Sequence, residues 1–332
     1  MRLSHRIYNL SIFKISIIFS IIVGSGFWGY GIDYYEAYHF SNLNWGGWQD
    51  RLGFRLSTFT IFDIHVGVYL VSFILSISLG FYLRQFLILK KMDLFFFYIL
   101  IYIIGIHTWP IIMSTSNAMR QGISMSLIFI SFGYLLSSKN LKSFIFIFIA
   151  IFTHNSGIFY FLVFIYLFFL KFITKYLNFK KFPGIWYLLS GIIFFCLTVF
   201  SLKFTVDING PSRIIEGDYR YPFLLISLAY ISIFSYKFRF LKYNDVCLFL
   251  YLFCFVSSAV LFLELNWQYE RLMMMMTLPL ILTFSLLLKK EFSYFFIFLV
   301  FIALLILTIL NGMYDQGLTL LDTSKYKNYI LS

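Results

Sequence analysis

Stretches of about 17 to 20 apolar residues recur along nearly the whole chain, each long enough to cross roughly 30 Å of hydrocarbon as a helix. Inside a bilayer no water is available to hydrogen-bond the peptide groups, so a spanning chain must satisfy them within itself. That requirement fixes the fold class before any single residue is considered. The balance of the 332 residues agrees: 61% are hydrophobic, 12% are charged and the mean hydropathy is +0.86, too little polar surface for a soluble domain of that length. We expect an all-α polytopic membrane protein of about nine to eleven transmembrane helices, folded as one domain over residues 1–332.

Hydropathy places full spans near 11–30, 65–83, 94–112, 120–136, 185–205, 222–236, 246–263, 272–288 and 294–312. The first is read as an uncleaved span and not a signal peptide, because no small-residue cleavage site follows it. The net charge of +12 is scattered over short loops, which speaks for topology and against nucleic acid. Arg2, Arg6 and Lys14 at the first span, then Arg84/Lys90/Lys91, Lys139/Lys142, Lys171/Lys175/Lys180/Lys181, Lys237/Arg239/Lys242 and Lys289/Lys290, are expected on the cytoplasmic side. The N-terminus is then cytoplasmic. Loops 31–64 and 206–221 and the C-terminal tail 313–332 are outside.

This assignment makes a demand on the uncharged run from Ser143 to Leu170, which has lysine clusters on both sides. As one straight helix it would be roughly 42 Å long, too long for an ordinary crossing and too short for two. A broken or re-entrant pair of short helices around residues 143–171 fits, meeting at Thr153-His154-Asn155-Ser156-Gly157, with Ser156 as a cap and Gly157 easing the turn. Broken backbone at membrane depth is tolerated where it is buried in protein or lines a wet cavity. The competing explanations are a histidine that merely bonds a neighbouring helix and a single long tilted helix.

The outward side differs in kind, since it carries Arg51, Arg55, Arg120, Arg213, Arg220 and Arg271 where the inside carries mostly lysine. Arginine there runs against the insertion bias, and its planar fork suits phosphate or carboxylate. Arg120 stands in STSNAMRQGIS beside Gln121, and Arg271 in LNWQYERLMMMM beside Glu270. The loop DINGPSRIIEGDYRYP supplies Arg213, Arg220 and Asp218. Each arginine has a plain alternative in a salt bridge, as between Arg271 and Glu264 or Glu270. The first outer loop holds Asp33, Tyr34, Glu36, Gln49 and Asp50 among Tyr and Trp; aromatic faces beside carboxylates suit sugar rings, and an interfacial aromatic belt is the alternative.

Other patterns carry no chemistry. GSGFWG at 24–29 matches a dinucleotide fingerprint but lies in an apolar span with no preceding strand. His39, His65, His107 and His154 include no H-x-x-x-H pair, and Cys196, Cys247 and Cys254 lie within apolar runs, so neither metal nor cofactor is expected. Met273 to Met276 reads as adaptable packing.

Three segments together resemble the EpsG family of Wzy-type polysaccharide polymerases: AMRQGISMSLIFISFGYLL with Arg120 and Gln121, the lysine-bearing turn after it, and AIFTHNSGIFYFLV with His154. Asp33-Tyr34-Tyr35-Glu36-Ala37-Tyr38 and Tyr269-Glu270-Arg271 also look like that group. The resemblance implies a bacterial inner-membrane glycosyltransferase. Such an enzyme joins undecaprenyl-diphosphate-linked oligosaccharide units into O-antigen, capsule or exopolysaccharide on the outer face, and works with chain-length regulator and flippase proteins. Under it Arg120 and Arg271 stabilise the diphosphate leaving group, His154 is the base or orients the acceptor, and Glu270 and Asp218 are reserve bases. Asn155, Gln121, Arg51, Arg213, Arg220, Asp33 and Tyr34 bind substrate. The other readings are a lipid-linked oligosaccharide flippase, a membrane acyltransferase and an O-antigen ligase. The chain lacks internal repeats, which disfavours the first, and has only His5 and Arg6 before its first span, which disfavours the second.

Overall fold

The computed structural model describes residues 2–28, 52–62, 64–92, 94–116, 118–154, 156–177, 183–205, 220–237 and 245–312. In order these form α1 (Arg2–Gly24), α2 (Leu52–Ser57), strands β1 (Thr60–Ile61) and β2 (Ile64–His65), α3 (Gly67–Leu89), α4 (Phe95–Ile106), α5 (Trp109–Ser116) and α6 (Met119–Leu136). There follow α7 (Asn140–Ile151), α8 (Ser156–Leu177), α9 (Pro183–Thr205), α10 (Arg220–Lys237), α11 (Asp245–Phe262), α12 (Asn266–Phe284) and α13 (Lys290–Gly312). Among the described residues eight helices are long and apolar enough to cross a membrane, and nine spans result if one bent pair is counted. The protein is an all-α, multi-pass membrane protein.

The bent pair corrects the sequence reading. The stretch 94–112 was expected to be one span, but it breaks at His107-Thr108, where α4 and α5 meet at 55°. The cause is Pro110, which has no N–H to give the Ile106 carbonyl four residues back and whose ring crowds that carbonyl. Thr108 repairs the break by donating its Oγ1 hydroxyl to the Gly105 carbonyl at 2.7 Å, and its own carbonyl receives Ile111 N at 2.9 Å.

A second break falls where the sequence places it, after Ile151. Two short helices were expected on either side. Only α7, with 12 residues, is short; α8 has 22 and can span alone. The apolar run that ends at Leu170 is carried on by Lys171-Phe172-Ile173-Thr174, whose lysine stem extends the helix while its ammonium finds a carboxylate.

The chain divides into two units, Met1–Gly157 with Leu288–Ser332, and Ile158–Leu287. In the first, α3 and α6 are central, with 67% and 72% of their spans buried, against 33% for α1 and 22% for α13. With lipid as apolar as any side chain, polar contacts between helices supply much of the specificity. Hydroxyls of Ser16 (α1), Ser76 (α3) and Tyr102 (α4) close into one cluster at 2.7 to 3.1 Å, and Tyr102 also donates to the Ser76 carbonyl at 3.0 Å. Ile12 touches Gly80 and Tyr69 touches Gly24, so α1 runs antiparallel to α3. Arg84 on α3 then meets Asn9 and the Tyr8 ring at the far end. There Lys90, just past the end of α3, donates to the Leu288 carbonyl at 2.6 Å, and burial lowers its ammonium below the ordinary range.

In the second unit α11 is central, 78% buried along its span. Lys171 of α8 pairs with Asp245 at the first residue of α11 at 2.7 Å. Tyr160 stacks on Phe253 and donates to Met275 Sδ at 3.1 Å, fixing α8 between α11 and α12.

Replacing Tyr102 by Phe removes the centre of the hydroxyl cluster and leaves Ser16 and Ser76 poorly satisfied. A loss of about 0.6 to 1.7 kcal/mol is expected. It should appear as a thermal midpoint lower by a few degrees in detergent, with Ser25→Ala, an exposed turn serine, as the unshifted control.

Candidate functional site

The arrangement of α6 and α7 follows from one serine pair. Ser131 donates to the Ser143 carbonyl at 3.0 Å and its hydroxyl meets that of Ser143 at 2.6 Å, pinning an antiparallel helical hairpin whose turn uses Ser138 in left-handed backbone (φ 55). Equal steps back along α6 and forward along α7 bring Thr153 to the register of Gln121 and His154 to that of Arg120. The histidine and arginine singled out in the sequence therefore reach the same end of the first unit.

The short helix α2 joins them. Gly53 lies so close to the tip that an added Cβ would fall 2.1 Å from the Thr153 carbonyl oxygen, so only glycine fits there. The next residue, Phe54, is buried and holds its ring 6.0 Å from the Arg120 guanidinium carbon, a cation–π arrangement. Adjacent residues of α2 thus touch the tip and support the arginine. Arg120 is half-buried, Gln121 fully buried, and both sit in the first turn of α6, where the helix dipole adds positive potential.

The tip satisfies its own backbone. Thr153 donates its hydroxyl to the Ala150 carbonyl at 2.8 Å, and His154 N reaches the same oxygen at 3.3 Å. Ser156 N donates to His154 Nδ1 at 3.1 Å, so the histidine ring takes the capping role that the sequence reading gave to Ser156. The Ser156 hydroxyl also lies 2.8 Å from Nδ1. Because a backbone N–H can only donate, Nδ1 is an acceptor and the proton of the neutral ring sits on Nε2. His154 is thereby set as a hydrogen-bond donor through Nε2.

His107 at the other break has the opposite tautomer, since its Nδ1 lies 2.8 Å from the Ile103 carbonyl, which can only accept. Phe19 meets its ring edge-on at 5.3 Å.

In the second unit, Ser227 of α10 lies by Met273 of α12 and Tyr230 by Thr283, so these helices run parallel and begin at the same end. Arg220, the first residue of α10, and Glu270 and Arg271, in the opening turns of α12, therefore share that end; all three are half-buried, while Tyr269 is fully buried. Arg220 lies 5.9 Å from the Tyr221 ring centre. The expected residues Asp33, Tyr34, Arg51, Asn155, Arg213 and Asp218, most of loops 31–64 and 206–221, and the tail 313–332 lie outside the described residues.

Sequence reading missed Gly53 and Phe54. The signal was present in Arg51-Leu52-Gly53-Phe54-Arg55, where the arginines drew notice and the residues between them did not.

The register of tip and arginine is checked by cross-linking. In a chain with the exposed Cys196 replaced by serine, cysteines at positions 120 and 154 should be joined by a short bifunctional thiosulfonate, and cysteines at 136 and 154 should not.

Comparison of this chain with protein-family models, with curated proteins and with solved structures finds no match.

Proposed function

We propose that the chain is a polysaccharide polymerase of the outer face of the bacterial inner membrane, which transfers a growing glycan from undecaprenyl diphosphate to the next lipid-linked repeat unit. The observation that carries the reading is that α2 touches both the Thr153 carbonyl, next to His154, and Arg120, at the end of the first unit opposite Lys90, Lys139 and Lys142. A guanidinium and an imidazole donor at one end of the unit are what a diphosphate leaving group asks of a site. The resemblance of the segments around Arg120 and His154 to the EpsG family points to the same chemistry.

In the step itself an acceptor hydroxyl oxygen bonds to the anomeric carbon, the bond from that carbon to the diphosphate oxygen breaks, and undecaprenyl diphosphate leaves with the electron pair. Charge grows on the leaving oxygen, where Arg120 stabilises it through two parallel N–H donors. Its cation–π contact with Phe54 keeps the fork oriented without neutralising it. Of the two roles open to His154, the Nδ1 contact to Ser156 favours the donor: Nε2–H orients a sugar or phosphate oxygen. The hydroxyl proton then goes to a carboxylate, and Glu270 and Asp218 are the residues the sequence offers. Arg271 and Arg220 carry their assignments to substrate from the resemblance.

The lysine-rich opposite end fits a cytoplasmic face, where lysine favours topology and anionic lipid.

Deletion of the gene should collapse the surface-polysaccharide ladder to a single repeat unit, and wild type should restore it. Arg120→Ala and His154→Ala, matched for membrane abundance, should each lower polymer at least about 100-fold. His154→Gln keeps a donor amide and should retain measurable ladder. A glutamine variant as dead as alanine overturns the donor role, and normal ladders from both alanine variants overturn the function.

A further inference from the structure

Between α2 and α3 the chain makes a small hairpin whose residues sit against ordinary rules. Ile61 pairs with Ile64 and Thr60 with His65, so the chain reverses directly after Ile61 with Phe62 in the turn. Such tight turns favour Asn, Asp or Gly, because their first central residue takes positive φ. Phe62 has φ 49, left-handed backbone that costs a bulky side chain steric energy Asn or Gly would largely escape. Its ring is also 94% exposed, with Phe59 at 48% and Ile61 at 44% beside it. A strained residue that exposes its ring gains nothing for a fold in water.

Its place in the molecule supplies the missing partner. Val66 N donates to the Phe59 carbonyl at 2.9 Å, and Gly67, the first residue of α3, approaches Ser57 so closely that an added Cβ would lie 1.8 Å from its carbonyl oxygen. The hairpin is therefore tied to the start of a spanning helix of 23 residues, about 34 Å long, which has Lys90 and Lys91 just past its other end. A helix of that length places Gly67 at the membrane–water boundary.

We propose that Phe62, flanked by Phe59 and Ile61, is an interfacial anchor, which sinks its ring into the acyl-chain boundary of the leaflet at the N-terminal end of α3. Anchoring fixes the level of α2, which lies immediately before the hairpin. It is independent of the catalytic reading, since it rests on the exposed ring, the strained turn and the position of Gly67.

The test uses the full chain in phosphatidylcholine–phosphatidylglycerol vesicles, with Phe62→Cys in a Cys196→Ser background carrying an environment-sensitive nitrobenzoxadiazole label. A label at Ser138, in the exposed turn between α6 and α7, is the reference. Emission from position 62 should shift to shorter wavelength than at 138, be quenched by lipids doxyl-labelled near the headgroup and resist iodide. Water-like emission quenched by iodide overturns the anchor. On the unaltered chain in nanodiscs, hydroxyl-radical oxidation of Phe62 should be as slow as that of Phe295 on the exposed face of α13. Oxidation as fast as in the unfolded chain overturns the proposal independently of any substitution.

Discussion

The obligation to satisfy every backbone group without water governs this structure, and its effect is clearest where the helices stop. At His107-Thr108 and again at Thr153-His154, a threonine hydroxyl donates to the carbonyl three residues back, at 2.7 and 2.8 Å. At each site the neighbouring histidine completes the repair with its Nδ1, once as donor to a carbonyl and once as acceptor from an amide. The same pair of residue types thus ends a helix by two routes. Each route fixes a different tautomer, so a structural repair sets the chemical character of a ring.

The second break becomes a candidate site only because α2 lies across it. Gly53 lets α2 approach the Thr153 carbonyl, and Phe54 then falls under Arg120. Neither contact is strong by itself, and a cation–π pair at a half-exposed position contributes about 0.5 to 1 kcal/mol. Their value is positional, since they hold a cation and an imidazole at one register while the Ser131–Ser143 pair prevents α7 from sliding along α6. The hairpin that follows α2 is locked to α3 in the same way, by a glycine that admits a backbone oxygen.

Charge is distributed along the helices in accord with this. In the first unit Arg84, Lys90, Lys139 and Lys142 gather at one end, and Arg55 and Arg120 at the other. In the second, Lys171 and Asp245 mark one end, and Arg220 and Arg271 the other. Lysines anchor by long stems and hydrated heads, whereas arginines keep several directed donors for an anion.

Most of the spans, the break after Ile151 and the segregation of lysine from arginine were legible in the sequence, because hydrocarbon thickness and the cost of charge act on residues one after another along the chain. His107-Thr108 was legible too, through Pro110, but hydropathy averaged over a window conceals a single proline. The length of α8 was misjudged because Lys171 ended the apolar run, although its partner Asp245 lets the helix continue. What the tertiary structure alone decided is which segments meet, Gly53 with the Thr153 carbonyl and Phe54 with Arg120, together with the tautomer of His154 and the exposure of Phe62. Spanning helices are apolar on every side, so their hydropathy carries no period that tells a packed face from a lipid face. Only close packing, set by glycines, serines and ring contacts between distant segments, makes that choice.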